Sequence, residues 1–372
     1  MIRILVFGMT ENPGGVESFL ISHYRRIDRS KIQFDFLCNS HDPIAYEDEI
    51  LALGGRTFHI TARSQNCFKY IQELEDVFRQ HASEWQAIWE NVSSLANIDY
   101  LKIAKQYGIK KRIIHSHNSQ NMDSKLRGLL HFWNKRRIKN YATDFWACSE
   151  EAAHWFYNDK LIDKCSIIHN AIDVNRMRFD AAKRNEIRAR HGWEQKLILG
   201  NIGRLHFQKN QEFALDIFRE YHGGNPDSVL VLVGQGEDET KLREKARELA
   251  IQDSVFFAGV QEDIQGWLSC FDLFLFPSQF EGLGIAALEA QANGVPVLAS
   301  KDVIPAEVKI NKNFQFFDLE AGTESWAKLI ESLASSERED FETIKQNFIR
   351  NGYDIENECH RLENLLLVNT AD

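Results

Sequence analysis

The sequence predicts an α/β protein of two doubly wound, Rossmann-like parallel sheets, each covered by helices and facing the other across a cleft. Three observations lead there. The chain has 372 residues, more than one ordinary domain of about 100 to 200. Short apolar runs alternate with amphipathic stretches, the rhythm of strand–helix units in parallel sheets. That rhythm breaks at a polar, charge-rich stretch over 174–196 and then starts again.

In the first half, Ile2 to Gly8 reads as a strand, followed by a loop and a helix from Val16 to Ile27. Strands at 33–40, 87–93, 112–118 and 143–149 alternate with helices at 46–53, 95–107 and 150–156, and a strand at 166–173 closes this half. The second half opens with a strand and loop at 196–205. A helix at 211–221, a strand at 228–236, a helix at 237–250 and a strand at 254–260 follow. A short helix at 263–269 leads to a strand at 273–278, a helix at 283–293 and a strand at 295–300. From Trp326 onward the pattern is mostly helical, ending in an apolar face of Leu362, Leu365 and Leu366. In open sheets of this kind ligands bind at the carboxyl ends of the strands.

Composition narrows the function. Hydrophobic residues make up 44% and charged residues 26%, as in globular proteins. No apolar run approaches the roughly 20 residues of a membrane span, and the N-terminal run is too short for a signal segment. The six cysteines form no C-x-x-C pair, so neither a zinc site nor a disulfide framework is expected and a reducing, cytoplasmic setting fits. The net charge is -10. Between Leu101 and Asn140, however, eleven Lys or Arg face one acid, Asp123. Such asymmetry marks a directed surface. Leu126, Leu129, Leu130 and Trp133 share one helical stripe in this segment, beside the cations. Residues 102–139 therefore fit either an anionic membrane face or a core-facing helix with a solvated basic side. No zinc finger, helix-turn-helix or aromatic-rich basic platform points to nucleic acid.

The densest chemical signal is FPSQFEGLGIAALEAQANGVPV, residues 276–297. Glu281 follows a strand, Gly282 and Gly284 free the backbone, and the helix N-terminal amides near Gly284, Ile285 and Ala286 suit a phosphate. Glu289, about a turn inside the helix, suits the paired hydroxyls of a ribose. Isolated, the two glutamates read more readily as acids favouring the helix dipole. In GNIGRLHFQKN, residues 200–210, Arg204 and Lys209 follow Gly203 in a loop after a strand, placed to offset the charge of a pyrophosphate. Gly14 and Gly15 offer a further backbone approach to phosphate. Gly8, Gly14 and Gly15 miss the G-x-G-x-x-G spacing, and Glu239 breaks it after Gly234 and Gly236, so no dinucleotide site is expected. Of His115 and His117, one is expected to face the cleft and the other to be buried under a helix; no third ligand stands at a zinc spacing. Asn91-Val92-Ser93 matches a glycosylation acceptor by accident.

Taken in order, these residues resemble the family 4 glycosyltransferases of the GT-B fold, particularly bacterial exopolysaccharide and capsule members. The likeness rests on G-G-V-E (14–17), H-S-H-N (115–118), S-E-E-A from Ser149, H-N-A-I-D from His169, G-R-L with its following Lys-Asn, and the E-x7-E element from Glu281 to Glu289. It implies retaining transfer of a sugar from a nucleotide-sugar, UDP-linked by family preference, to a glycan or polyprenyl-linked acceptor, without a bound metal or other cofactor. Arg204 and Lys209 would neutralise the diphosphate and Glu289 would bind the ribose. Glu281 would hold the donor sugar, helped by the backbone of Gly282, Leu283, Gly284 and Ile285. Gly259 and Val260 would receive the base, Gly15 would approach the phosphates, and His117 would stand beside the transferred sugar. The N-terminal acceptor domain would span 1–172, completed by a returning helix at about 350–372, and the donor domain 173–349. The family's N-G-I-D is here Asn170-Ala171-Ile172-Asp173, a change tolerated where Ala171 can take up the local backbone. An epimerase of the same fold, and a catalytically silent glycan-binding or partner-stabilising subunit, are the alternatives.

Overall fold

A computed structural model describes residues 1–118 and 125–368. Contacts divide the chain into two compact units, Met1–Ala171 with Ile355–Asp372, and Ile172–Asp354. The first unit is built on seven parallel strands: β1 (Ile2–Phe7), β2 (Ile32–Cys38), β3 (Arg56–His59), β4 (Ala87–Val92), β5 (Lys111–Ser116), β6 (Asp144–Ala147) and β7 (Cys165–Ile167). They run in the order β3-β2-β1-β4-β5-β6-β7. The second unit holds β8 (Leu197–Ile202), β9 (Ser228–Val233), β10 (Val255–Gly259), β11 (Leu273–Phe276), β12 (Val297–Ser300) and β13 (Phe314–Phe317), in the order β10-β9-β8-β11-β12-β13. Both are the doubly wound sheets that the alternation predicts.

Each sheet is buried on both faces, which explains why its central strands read as unbroken apolar runs. In β1, Leu5 joins the core on one face while Ile4 and Val6 join the other, and all three are fully buried. In β9, Leu230 and Leu232 pack to one side and Val229, Val231 and Val233 to the other. Close packing sets glycine positions too: a Cβ on Gly200 would lie 2.0 Å from the Phe271 ring. The helix Ile355–Leu367 places Cys359, Leu362 and Leu366 in the same core as Phe19 and Tyr24. Arg26 pairs with Glu356 at 2.8 Å, and the Lys111 ammonium donates to the Leu365 carbonyl at 2.7 Å near the helix end.

Several elements exceed the sequence expectation, among them helix Ala181–His191, which Asp180 caps within the stretch read only as polar and charge-rich. Helix Cys67–His81 is capped by Asn66, whose side chain accepts from the Lys69 N–H, and buries Tyr70, Leu74 and Phe78 along one stripe. β3 and β13 are four-residue edge strands of mostly half-buried residues, too short for alternation to register. Asn91 is buried within β4, which removes it as a glycosylation site.

The same strand carries a carboxyl in the core. Glu90 is fully buried, beside Phe7 and Ile114 on the neighbouring strands, and neither oxygen has a hydrogen-bond partner. Desolvation, reinforced by Asp99, raises its pKa well above the ordinary 4.5. The folded state therefore keeps a proton that the unfolded chain releases, so stability is full below the unfolded value and is lost as pH rises towards the folded one. Glu90→Gln should remove this loss. Its melting temperature relative to the parent protein is expected to climb between about pH 5 and pH 8, and parallel pH profiles would contradict a neutral Glu90.

Candidate functional site

In the second unit β8 lies beside β11, although β9 and β10 intervene in sequence. The chain leaves these two strands to opposite sides, opening a crevice at their carboxyl ends. Lys209 arrives from β8 and Glu281 from β11. The Lys209 ammonium donates to both Glu281 oxygens, at 2.6 and 2.8 Å, and the Ser278 hydroxyl donates to Oε1 at 2.7 Å. Gly203 lets the lysine stem cross, since a Cβ there would stand 3.2 Å from Lys209 Cε. Asn210, in the left-handed region at φ 55°, donates to the Pro277 carbonyl at 3.0 Å, and the Gln279 N–H donates to the Gln208 carbonyl at 2.8 Å. These bonds clamp the two loops together, and only 8% of the Glu281 side chain is exposed.

Gly234 and Gly236 have a different use from the dinucleotide pattern they begin. A Cβ on Gly234, at φ +132°, would lie 2.1 Å from the Gly203 carbonyl oxygen, and one on Gly236 the same distance from that of Leu205. Their bare backbones let the Gly203 and Leu205 N–H groups bond the Val233 and Gln235 carbonyls, each at 3.0 Å. Arg204 projects from this seam to Glu237, at 3.1 and 3.2 Å, with 68% of its side chain exposed. Such a surface pair is weakly held. Lys209 and Arg204 thus have separate carboxylate partners.

Helix Ile285–Asn293 starts from Gly284 at φ +78° without a side-chain cap, and a Cβ on Gly284 would press to 2.8 Å from Ile304 Cγ2. The Ala287 N–H bonds the Gly284 carbonyl at 2.8 Å, and the amides before it have no acceptor within the helix. Gly282 faces open space, Leu283 packs on the core and Ile285 is part-exposed. Glu289 lines a cavity of about 590 Å³ with Arg176, Met177, Glu262, Asp263 and Gln265. Burial pushes the Glu289 carboxyl up to about 7, with the Arg176 charge pulling the other way. Gly259, at φ +67°, has open space where a side chain would stand, and Val260 after it is exposed.

Arg176 was not legible as a cavity residue from sequence. Its signal is Asp173, whose carboxylate accepts the Arg176 N–H at 2.9 Å and starts the short helix Val174–Met177. Ala171 has no positive φ, so alanine in place of glycine carries no backbone strain.

The first unit holds Gly15 and His117. Helix Gly15–Arg26 opens after Gly14, and Glu17 accepts from the Thr10 N–H at 3.1 Å and hydroxyl at 2.6 Å, bracing the loop before it. Space above Gly15 is open. His115 and His117 correct an expectation: their rings lie 4.1 Å apart, both against Phe19, rather than on opposite faces. Residues two apart in a strand share a face. His117 Nε2 meets Asn91 Oδ1 at 2.9 Å, while the Asn91 amide donates to the Trp89 carbonyl at 3.3 Å. That amide orientation makes Nε2 the protonated nitrogen and leaves Nδ1, buried and unpartnered, as an acceptor. Desolvation, then His23, lowers the His117 pKa to about 3, so the ring is neutral at physiological pH.

Comparison with known proteins identifies the family. The family profile "Glycosyl transferases group 1" matches residues 183–354. EpsF of Bacillus subtilis (strain 168), a provisionally named glycosyltransferase, is 30% identical over 369 residues, covering 96% of this chain and 94% of its own. The UDP-Gal:alpha-D-GlcNAc-diphosphoundecaprenol alpha-1,3-galactosyltransferase of Escherichia coli is 22% identical over 298 residues, 77% of this chain and 76% of its own. Among solved structures, Anabaena Alr3699/HepE in complex with UDP superposes with a TM-score of 0.78 at 17% identity, over 98% of this chain and 99% of that one. With two parallel Rossmann-like sheets and a relative matched along almost its whole length, the chain belongs to the group 1 glycosyl transferases and has their GT-B fold.

Proposed function

We propose that the protein is a retaining glycosyltransferase that moves a sugar from a UDP-sugar to a glycan or polyprenyl-linked oligosaccharide in exopolysaccharide or capsule synthesis, at the inner face of the cell membrane. The observation that carries the reading is the Lys209–Glu281–Ser278 cluster at the β8/β11 crevice. Lys209 is placed to meet the diphosphate, joined by Arg204 once it leaves Glu237, and by the uncapped amides at Gly284 and Ile285. Glu281 takes hydroxyls of the donor sugar and Glu289 those of the ribose, with the base against Gly259 and Val260. The roles that the resemblance implies for Gly15 and His117, both in the first unit, belong to this proposal as well. The donor C1–O bond breaks, the acceptor oxygen bonds C1 on the same face, and the acceptor proton passes to the departing phosphate oxygen. UDP leaves. In this reading Lys209, Arg204 and the helix amides carry the charge compensation, and no metal is required.

The UDP named in the Anabaena complex and the UDP-Gal and diphosphoundecaprenol named for the Escherichia coli relative support the choice of donor and acceptor class. The test is calorimetry and thermal shift against UDP, GDP, ADP and their sugar conjugates, with and without chelator, because a ligand of the native state raises stability by mass action. The expected result is a chelator-insensitive response to UDP, followed by turnover of one UDP-sugar once acceptor is added. Binding without any turnover would move the assignment to a silent subunit, and conversion of donor alone to an epimer would make it an epimerase.

A further inference from the structure

Helix Lys125–Arg137 in the first unit is inside out. Its buried positions are Gly128, His131 and Asn134, none of them apolar and large, while its big hydrophobes face outward. Leu126 and Leu129 are each 68% exposed, Leu130 39%, Phe132 48% and Trp133 59%. Four of these, at i, i+3, i+4 and i+7, form one stripe. An ordinary surface helix shows the reverse arrangement.

Polar bonds hold the helix this way round. The Leu95 N–H donates to His131 Nδ1 at 3.1 Å, so Nε2 carries the proton that bonds the Trp155 carbonyl at 3.2 Å. Asn134 donates to the Leu95 carbonyl at 2.7 Å. Lys135 donates to the carbonyls of His154 and Trp155 at 2.7 and 2.9 Å, so it anchors the helix instead of serving the basic face. Elsewhere in the basic segment Lys102 pairs with Asp99, Lys105 bonds the Asn140 carbonyl and Arg112 bonds the Tyr141 carbonyl. The exposed cations at Lys125, Arg136 and Lys139 then flank the apolar stripe, and the Arg137 guanidinium lies 5.9 Å from the Trp133 ring centroid.

We infer that this helix lies flat in the surface of an anionic lipid bilayer, with Leu126, Leu129, Leu130, Phe132 and Trp133 seated among the acyl chains and Lys125, Arg136 and Lys139 on the headgroups. An apolar face flanked by cations is the chemistry of an interfacial helix, and tryptophan is favoured at the membrane–water boundary. Charge selects the occupant: a second copy would bring like charges together at the rim of its own patch, whereas acidic headgroups neutralise them. No helix among the described residues is long and apolar enough to cross a membrane, so the contact is one-sided. The inference deepens the reading of a lipid-borne acceptor and rests on it for its purpose. Donor binding reports on that reading separately.

Flotation of the full chain with phosphatidylcholine vesicles, with and without phosphatidylglycerol, tests it. The parent protein should bind the anionic vesicles and release in high salt. Leu129→Asn with Trp133→Asn, both at exposed positions, should lower the partition coefficient at least roughly tenfold. Arg136→Gln with Lys139→Gln should abolish the preference for phosphatidylglycerol. Melting temperature and UDP-induced stabilisation should match the parent in both variants, so a missing UDP response indicts the donor reading alone. Absence of binding to anionic vesicles, or unchanged binding by the Leu129→Asn, Trp133→Asn variant, overturns the inference. Lipid-independent dimerisation that this variant abolishes overturns it in favour of a second copy.

Discussion

Glu289→Gln is expected to weaken UDP binding by roughly ten- to a hundredfold at pH 8, the worth of a hydrogen bond to a charged acceptor. The proposed partner is a pair of ribose hydroxyls, which the ionised carboxylate accepts best. Burial holds Glu289 at about 7, so the unliganded site is only partly ionised near neutrality. UDP affinity of the parent protein should therefore rise from about pH 6 to pH 8, with proton release on binding. Stability of the unliganded protein should move the other way: a raised folded-state pKa contributes stability that is present below the unfolded value of 4.5 and is lost as pH rises through about 7. Both slopes should flatten in Glu289→Gln. Calorimetry across this range in buffers of different ionisation enthalpy checks the claim, and an unaltered affinity in the variant would remove Glu289 from the nucleotide site.

Lys209→Met should lower kcat/KM by roughly a hundred- to a thousandfold, the range for deleting a preorganised group aimed at developing charge. It should also destabilise the second unit by about 1 to 3 kcal/mol, because Glu281, only 8% exposed, loses its partner. Adding Glu281→Leu separates the two effects. A buried pair replaced by apolar groups of similar volume recovers most of the stability, while activity should stay at or below that of Lys209→Met. Denaturant unfolding and steady-state rates on the same three proteins decide it. Turnover within about threefold of the parent in Lys209→Met would show the ion pair to be structural only.

How much of this was legible beforehand follows the range of the interactions. Alternation of strand and helix is local, so both sheets and nearly every central strand could be placed from the chain alone. The loops after β8 and β11 could be singled out because glycine, lysine and glutamate stand next to strand ends in sequence, and the structure brings the two together. Helix Cys67–His81 was missed although Asn66 and the Tyr70, Leu74, Phe78 stripe carry its signal, and β3 and β13 were too short to show a period. Partnership was not readable. Lys209 and Glu281 are 72 residues apart, and nothing local assigns Arg204 to Glu237 or Arg176 to the Glu289 cavity.

By itself, the sequence determined the α/β class and the two sheets, because backbone periodicity and turn residues act over a few positions. Only the tertiary structure decided which charges neutralise one another, how strongly Glu90 and Glu289 are desolvated, and which way the helix Lys125–Arg137 faces. The reason is physical: burial and ion pairing depend on what packs across from a residue. For the Leu126–Trp133 stripe, the bonds of His131, Asn134 and Lys135 to distant backbone turn an apparent core face outward.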